Sequence, residues 1–287
     1  KLTTSTSYVI QTSWFGLACF LFADKIAVLY GCELPSGANN RRMIYGMMAM
    51  FGFGFNWFGS SFRSLTKYAD SDAEAAAGLG AMILGVMNVF VGVTRDLAFA
   101  AKVGMPASGI YANIVIGVFI ALSGFSLWSA SGSKVSFAFK MGNAVERAIL
   151  YQSVVGTFFG VMMVFNADGM NAQYLSSGQY SAETVAWFGT LMGGWGSALM
   201  AQGIMGFCAL GISHENSKLR MCRDFWIFNF AQLAMWQMFR IQNVVDGNTD
   251  DASAQVVNMV IAFVGLFLGA TAYGTAMNKR EETAKSK

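Results

Sequence analysis

The chain has 287 residues, of which 55% are hydrophobic, 14% aromatic and only 12% charged. Soluble domains carry about 25% charged residues, so this composition argues against a single water-soluble globule. One histidine, His214, excludes a metal or haem site that needs two imidazoles from this chain, and four cysteines exclude a disulfide scaffold.

Eight apolar stretches are each long enough to cross a hydrocarbon core, which takes about 20 helical residues. Charged residues lie at their ends, and the runs 114–119 and 260–267 lack the alternation of polar and apolar residues that barrel strands need. The sequence therefore predicts an all-α integral membrane protein with about eight transmembrane helices. In chain order these are 8–30, 42–62, 74–93, 108–128, 146–165, 181–210, 224–241 and 254–277.

The basic residues predict the orientation of these helices. If the chain changes side at each span, 13 of the 19 basic residues fall on one side and six on the other. By the positive-inside rule, both termini then face the stroma, matrix or cytoplasm. The opening Lys-Leu-Thr-Thr-Ser-Thr-Ser fits the tail of an organellar transit peptide or an unstructured terminus equally well. A thylakoid location is favoured, with the mitochondrial inner membrane second.

An internal duplication is visible in the sequence. Residues 14–30 match residues 158–174 at an offset of 144, with Gly16 on Gly160 and Asp24 on Asp168. Further along, the segment that starts at Asn113 matches the one at Asn258 at an offset of 145. We therefore expect two tandem four-helix repeats, 1–131 and 145–278, joined by a linker at 132–144 and followed by a basic C-terminal tail at 279–287. An even number of spans gives both repeats the same orientation, as in parallel-repeat membrane folds.

Glycines and aromatic residues are concentrated in the predicted helices. Small residues such as Gly46, Gly52 and Gly196 let helix backbones approach closely in lipid, which predicts tight helix packing. The aromatic run at 51–58 covers every side of a helix and predicts burial against protein, lipid or a polyene.

Ionisable groups are predicted to lie at the ends of the spans. Arg95 and Asp96 are adjacent, as are Arg223 and Asp224, so each pair is expected to cancel its own charge and to anchor a helix end at the membrane interface. No ionisable group is predicted at mid-span, which argues against ion-coupled transport. No hydrolase, metalloprotease or phosphate-loop motif occurs in the sequence.

Amide side chains within the spans are the candidate binding groups. An unpaired amide in lipid costs several kcal/mol, so each amide is expected either to bond a neighbouring helix or to bind a cofactor, its oxygen coordinating a chlorophyll magnesium. A few chlorophylls and carotenoids, together with lipids, are the cofactors compatible with this set, and neither haem nor zinc is expected. The candidates are Asn88, Asn113, Gln152, Gln202, Asn258 and the loop residue His214, with Asn113 and Asn258 first because the duplication relates them.

Three functions are compatible with these features. The first is a non-catalytic subunit of a larger organellar membrane complex, most plausibly an accessory or scaffold subunit of a photosynthetic supercomplex. Its partners would be other membrane subunits and lipids, with no nucleic acid. The second is a facilitative transporter of a small neutral solute or lipid. The third, a membrane enzyme acting on a lipid, ranks last because catalytic motifs are missing and the loops are short.

Overall fold

The fold is helical throughout the described part of the chain. The computed structural model describes residues 14, 16–19, 21–29, 38–104, 106–132, 135–174, 181–245 and 252–285. A π-helical turn, Gly92–Asp96, joins the helix Ser71–Val91 to the helix Leu97–Val103 without a break. The helices are α1 (Ala23–Leu29), α2 (Ala38–Thr66), α3 (Ser71–Val91), α4 (Leu97–Val103), α5 (Ser108–Ser131), α6 (Ala144–Phe165), α7 (Ala167–Tyr174), α8 (Ala182–Gly211), α9 (Glu215–Val245) and α10 (Ala252–Lys285).

Within the described residues, four helical segments are long and apolar enough to cross a membrane: Ser71–Lys102, Ser108–Ser131, Ala144–Phe165 and Val256–Lys285. The prediction of an all-α protein with membrane-spanning helices is confirmed to this extent. Helices α2, α8 and α9 contain 29, 30 and 31 residues and coincide with three more predicted spans. The first predicted span, 8–30, lies only partly within the described residues, as does the C-terminal tail, and residues 1–7 lie outside them. The number of eight spans stays a prediction.

Short polar side chains fix where several helices begin. Asp70, Asn143 and Ser181 precede α3, α6 and α8, and each accepts a hydrogen bond from the backbone N–H three residues on, at 2.9, 2.9 and 3.1 Å. These bonds satisfy donors that a helix N-terminus otherwise leaves unpaired. At the other end, Gly104 after α4 and Gly132 after α5 adopt positive φ angles of 72° and 67°, which stop the helix at little steric cost.

Helix α9 begins earlier than predicted, at Glu215 instead of near Asp224. The sequence prediction treated the charged residues 215–223 as a loop. The structure instead pairs them inside the protein: Lys218 bonds Glu146, and Asp224 bonds Ser64. Because their charges are compensated, these residues can continue the helix towards its N-terminus.

The centre of the molecule is the parallel pair α2 and α8. Ser61 contacts Gln202 and Gly54 lies against Trp195, so residue numbers increase in the same direction along both helices. Most of the described side chains of both helices are buried in protein. The aromatic run at 51–58 is buried as the sequence predicted, and its neighbours are protein side chains: the Trp57 ring stacks on Phe228 at 5.7 Å.

The remaining long helices surround this pair, and each central helix has an antiparallel neighbour from the other half of the chain. Helix α3 lies antiparallel to α8, with Gly80 against Met205, and α9 lies antiparallel to α2, with Trp57 against Phe225. Helix α5 packs along α3, α10 along α9, and α6 along α8. Helices α5, α6 and α10 expose large apolar side chains on their outer faces.

Two helix crossings depend on glycine. A Cβ added at Gly52 would lie 2.5 Å from both Gly16 O and Cys19 Cβ. A Cβ added at Gly196 would lie 2.5 Å from Met163 Cβ and 3.1 Å from Gly160 O. At both crossings the backbones touch, which is how helices associate in lipid, where the hydrophobic effect between them is missing.

We expect Gly52→Ala to destabilise the folded protein by about 1–3 kcal/mol, because the added methyl group has no space at the crossing. Thermal unfolding of the purified protein in detergent micelles measures the loss. Gly274→Ala on α10 is the matched control, since no heavy atom lies within 4 Å of the Cβ that it adds. Equal melting temperatures for the two variants would contradict the tight crossing.

Candidate functional site

A buried ion pair lies in the π-helical turn after α3. Arg95 Nε donates to Asp96 Oδ1 at 3.1 Å. The same guanidinium reaches helix α8, where Nη2 donates to Gly189 O at 2.9 Å, and helix α6, where Nη1 lies 3.4 Å from Met163 O. One side chain thus fastens α3 to two helices from the second half of the chain. Single π-helical turns inside helices occur frequently at functional sites.

The expected local cancellation of the Arg95 and Asp96 charges agrees with their contact, whereas their anchoring at the membrane interface stays a prediction. The side chains are only 16% and 8% exposed. The guanidinium can enter because α8 carries Gly193 at this point: a Cβ there would overlap Arg95 Nη2. A buried charge needs both a partner and hydrogen bonds, and the carboxylate and the two carbonyls supply them.

Arg223 and Asp224 form a second adjacent pair, with Arg223 Nη2 2.7 Å from Asp224 Oδ1. Asp224 is buried and also accepts a hydrogen bond from Ser64 of α2. Helix α2 therefore covers the carboxylate, and its anchoring at the membrane interface also stays a prediction.

A small cavity lies beside Arg95 and Asp96, between α3, α5 and α8. Its volume is about 20 Å³. Two of the predicted binding residues, Asn88 and Asn113, meet here, and both are half-buried. The lining residues are Phe51, Asn88, Val91, Gly92, Asp96, Asn113, Trp187, Thr190, Leu191 and Gly194. The adjacent polar groups make this cavity the candidate site.

Two other predicted residues bond neighbouring helices. Gln152 Oε1 accepts from Asn229 Nδ2 at 2.9 Å, which joins α6 to α9. Gln202 Nε2 donates to Ser61 Oγ at 3.0 Å, which joins α8 to α2. Both amides are buried, and both make the interhelical bonds that the sequence offered as one alternative.

The last two predicted residues are far apart in the chain and do not line the cavity. Asn258 is buried near the start of α10. His214 precedes α9, and its Nδ1 accepts a hydrogen bond from Ser217 N at 3.2 Å. The His214 ring therefore caps the N-terminus of that helix. The His214 ring also lies 4.9 Å from the Tyr68 ring.

The burial of these amides bears on the predicted chlorophyll. A macrocycle needs an open face beside its axial ligand, and Gln152, Gln202 and Asn258 are each less than 10% exposed. These three do not fit the role. Asn88 and Asn113 keep some exposure, but the cavity between them is far smaller than a chlorin ring.

A further ionic cluster was missed by the sequence reasoning. Lys218 of α9 is buried and bonds Glu146 of α6 and Glu215, both at 3.2 Å. Glu146 also accepts from Gly142 N at 3.0 Å. The spacing of Glu215 and Lys218 is a helical i, i+3 pair and could have signalled that contact. The partner 72 residues away could not be inferred.

Comparisons with known proteins leave the family open. No family model matches the chain, and no match was found among curated proteins or solved structures. Within the described ranges, no group of three or more His, Cys, Asp or Glu side chains is placed to hold a metal ion. The site must therefore be interpreted from its own geometry.

We expect Arg95→Gln to destabilise the protein by about 3–5 kcal/mol, because it leaves the buried Asp96 carboxylate uncompensated. The double variant Arg95→Gln with Asp96→Asn removes both charges and should recover part of this loss. Chemical denaturation in mixed micelles of the unmodified protein, the single variants Arg95→Gln and Asp96→Asn, and the double variant measures the effect. A double variant that loses the sum of the single effects would show that the pairing contributes nothing.

Proposed function

We propose that the protein is a non-catalytic integral subunit of a larger organellar membrane complex. The support is a contrast between the hydrogen-bonded polar side chains inside the protein and the apolar side chains on its outer surface. The polar side chains described above bond one another across helices, whereas three outer helices present apolar surface. A protein of this kind acts through what packs against it.

The observation that carries the proposal is the spacing of the exposed residues. Each of three outer helices exposes an apolar face, and within that face runs a stripe of large apolar residues at alternating intervals of four and three. Such spacing lets a second helix pack alongside with a small crossing angle, the commonest geometry in membrane bundles. The stripes are Tyr111, Val115, Val118, Leu122 and Phe125 on α5, Val154, Phe158, Val161 and Phe165 on α6, and Val256, Val260, Phe263 and Phe267 on α10.

We also infer that the chain consists of two tandem units of four spans in the same orientation. Gly16 meets Gly52 as Gly160 meets Gly196, a separation of 144 residues in each case. Gly78 meets Gly124 O, and Cys222 Sγ donates to Gly269 O at 3.6 Å, so close approaches recur in α3–α5 and α9–α10. The helix breaks at Phe22 and Asn166 recur at the same offset. Parallel α2 and α8 fit units related by an axis along the membrane normal.

This topology predicts which surface positions share a side of the membrane. Cysteines introduced at Lys67 and Ser213 should react with an impermeant maleimide from one side, and a cysteine at Lys102 from the other. All three residues are exposed, and Cys19, Cys208 and Cys222 are buried. The label should be tested in sealed membrane vesicles with Cys32 replaced by serine. Reaction of all three positions from one side would contradict the two-unit arrangement.

The subunit proposal is tested by native electrophoresis of membranes solubilised in mild detergent. We expect the 31.0 kDa chain to migrate with a much larger complex. Replacing Leu122, Phe158 or Phe263 with asparagine, one at a time, should release the chain where its stripe meets a partner. Replacing the same residue with methionine keeps the apolar volume and should preserve assembly.

Migration as a monomer or homodimer, unchanged by any of these substitutions, would contradict the subunit proposal. A photosynthetic complex is the more specific form of this proposal, and its support is the glycine-rich and aromatic-rich composition of the helices. Chlorophyll or carotenoid absorbance in the same band tests that form separately.

A facilitative transporter of a small neutral solute is the second candidate. The cavity lined by Asn88, Asn113, Asp96 and Thr190 favours it, because it lies between helices of the two proposed units. Uptake of neutral solutes by proteoliposomes that contain only this chain would support transport. The small cavity volume and the aromatic packing between α2 and α8 support the subunit proposal more strongly.

A further inference from the structure

Among the buried polar atoms of α8 that lack a hydrogen-bond partner of normal geometry in the described part of the chain are Trp187 Nε1 and Thr190 Oγ1. They are three residues apart, so they lie on the same face of the helix. Thr190 Oγ1 is near Asp96, yet no hydrogen bond of normal geometry joins them. An unpaired buried donor or acceptor destabilises the folded state, so a partner for these atoms is expected.

Both residues line the cavity beside the Arg95–Asp96 ion pair. Its volume is about 20 Å³. This is enough for one water molecule, provided that two to four polar groups surround it. Asp96, Thr190 and Trp187 supply such groups.

The chemistry of the lining selects water over a cation. Trp187 Nε1–H can only donate a hydrogen bond, and a donor directed at a cation is repulsive. Asp96, the one carboxylate among the described lining residues, already forms an ion pair with Arg95. A water molecule can accept from Trp187 and donate to an oxygen of Asp96 or Thr190.

We propose that one ordered water molecule occupies this cavity and bridges Trp187 Nε1 to Thr190 Oγ1 and Asp96. The water ties α8 to the π-helical turn, alongside the direct bond from Arg95 to Gly189. It also hydrates the carboxylate, which lowers the cost of keeping an ion pair at this depth.

A double-mutant cycle on the purified full-length protein tests the bridge. Trp187→Phe and Thr190→Val should each lower the melting temperature in micelles. Together they should lower it by clearly less than the sum, because either change alone already removes the water. Trp187→Phe combined with Thr190→Ser is the matched control, and its effects should add, since serine keeps the hydroxyl group.

An infrared difference measurement keeps the proposal testable if a variant is too unstable to melt cooperatively. Exchange into H₂¹⁸O should shift an O–H stretching band of one internal water in the unmodified protein, and Thr190→Val should abolish that band. Additive melting effects, or an internal-water band that survives in Thr190→Val, would overturn the proposal.

Discussion

Hydrocarbon offers no hydrogen-bonding partner, and this constraint governs how the chain arranges its polar side chains. Arg95 extends from α3 to the carbonyl of Gly189, Gln152 joins Asn229, and Asp224 accepts from Ser64. Each contact crosses from one helix to another. The polar groups that would be costly in lipid therefore become the links that set which helices are neighbours.

Close backbone approach is what allows these links to form. Gly193 leaves room for the Arg95 guanidinium, Gly52 lets α2 touch the helical segment at 16–19, and Gly196 lets α8 touch α6. Large aromatic residues such as Trp57 and Trp187 fill the core together with small and polar residues, and further large apolar residues of α5, α6 and α10 face outward. The proposed role as a packing subunit rests on that apolar exterior, and the proposed internal water rests on the polar groups buried inside.

Much of the fold could be predicted because helix length and apolar composition are local properties. The predicted spans 108–128, 146–165 and 181–210 match α5, α6 and α8 within a few residues at each end. The candidate site was harder to predict, because the hydrogen bonds and ion pairs of its side chains join residues that are distant in sequence. Among six predicted binding residues, only Asn88 and Asn113 meet at the cavity. Thr190 and Trp187 gave no signal in the sequence, because a threonine and a tryptophan in an apolar helix are ordinary.

The sequence by itself determined that the chain is helical and apolar enough for a membrane, and where the long helices α3, α5, α6 and α8 begin and end. Hydropathy, helix caps and glycine stops act over a few residues, so they can be read along the chain. Only the tertiary structure decided that Asp96 and Asp224 are buried and that α2 and α8 form the centre. The energy of a charged side chain depends on what surrounds it in space, and that environment comes from helices nearly a hundred residues or more away.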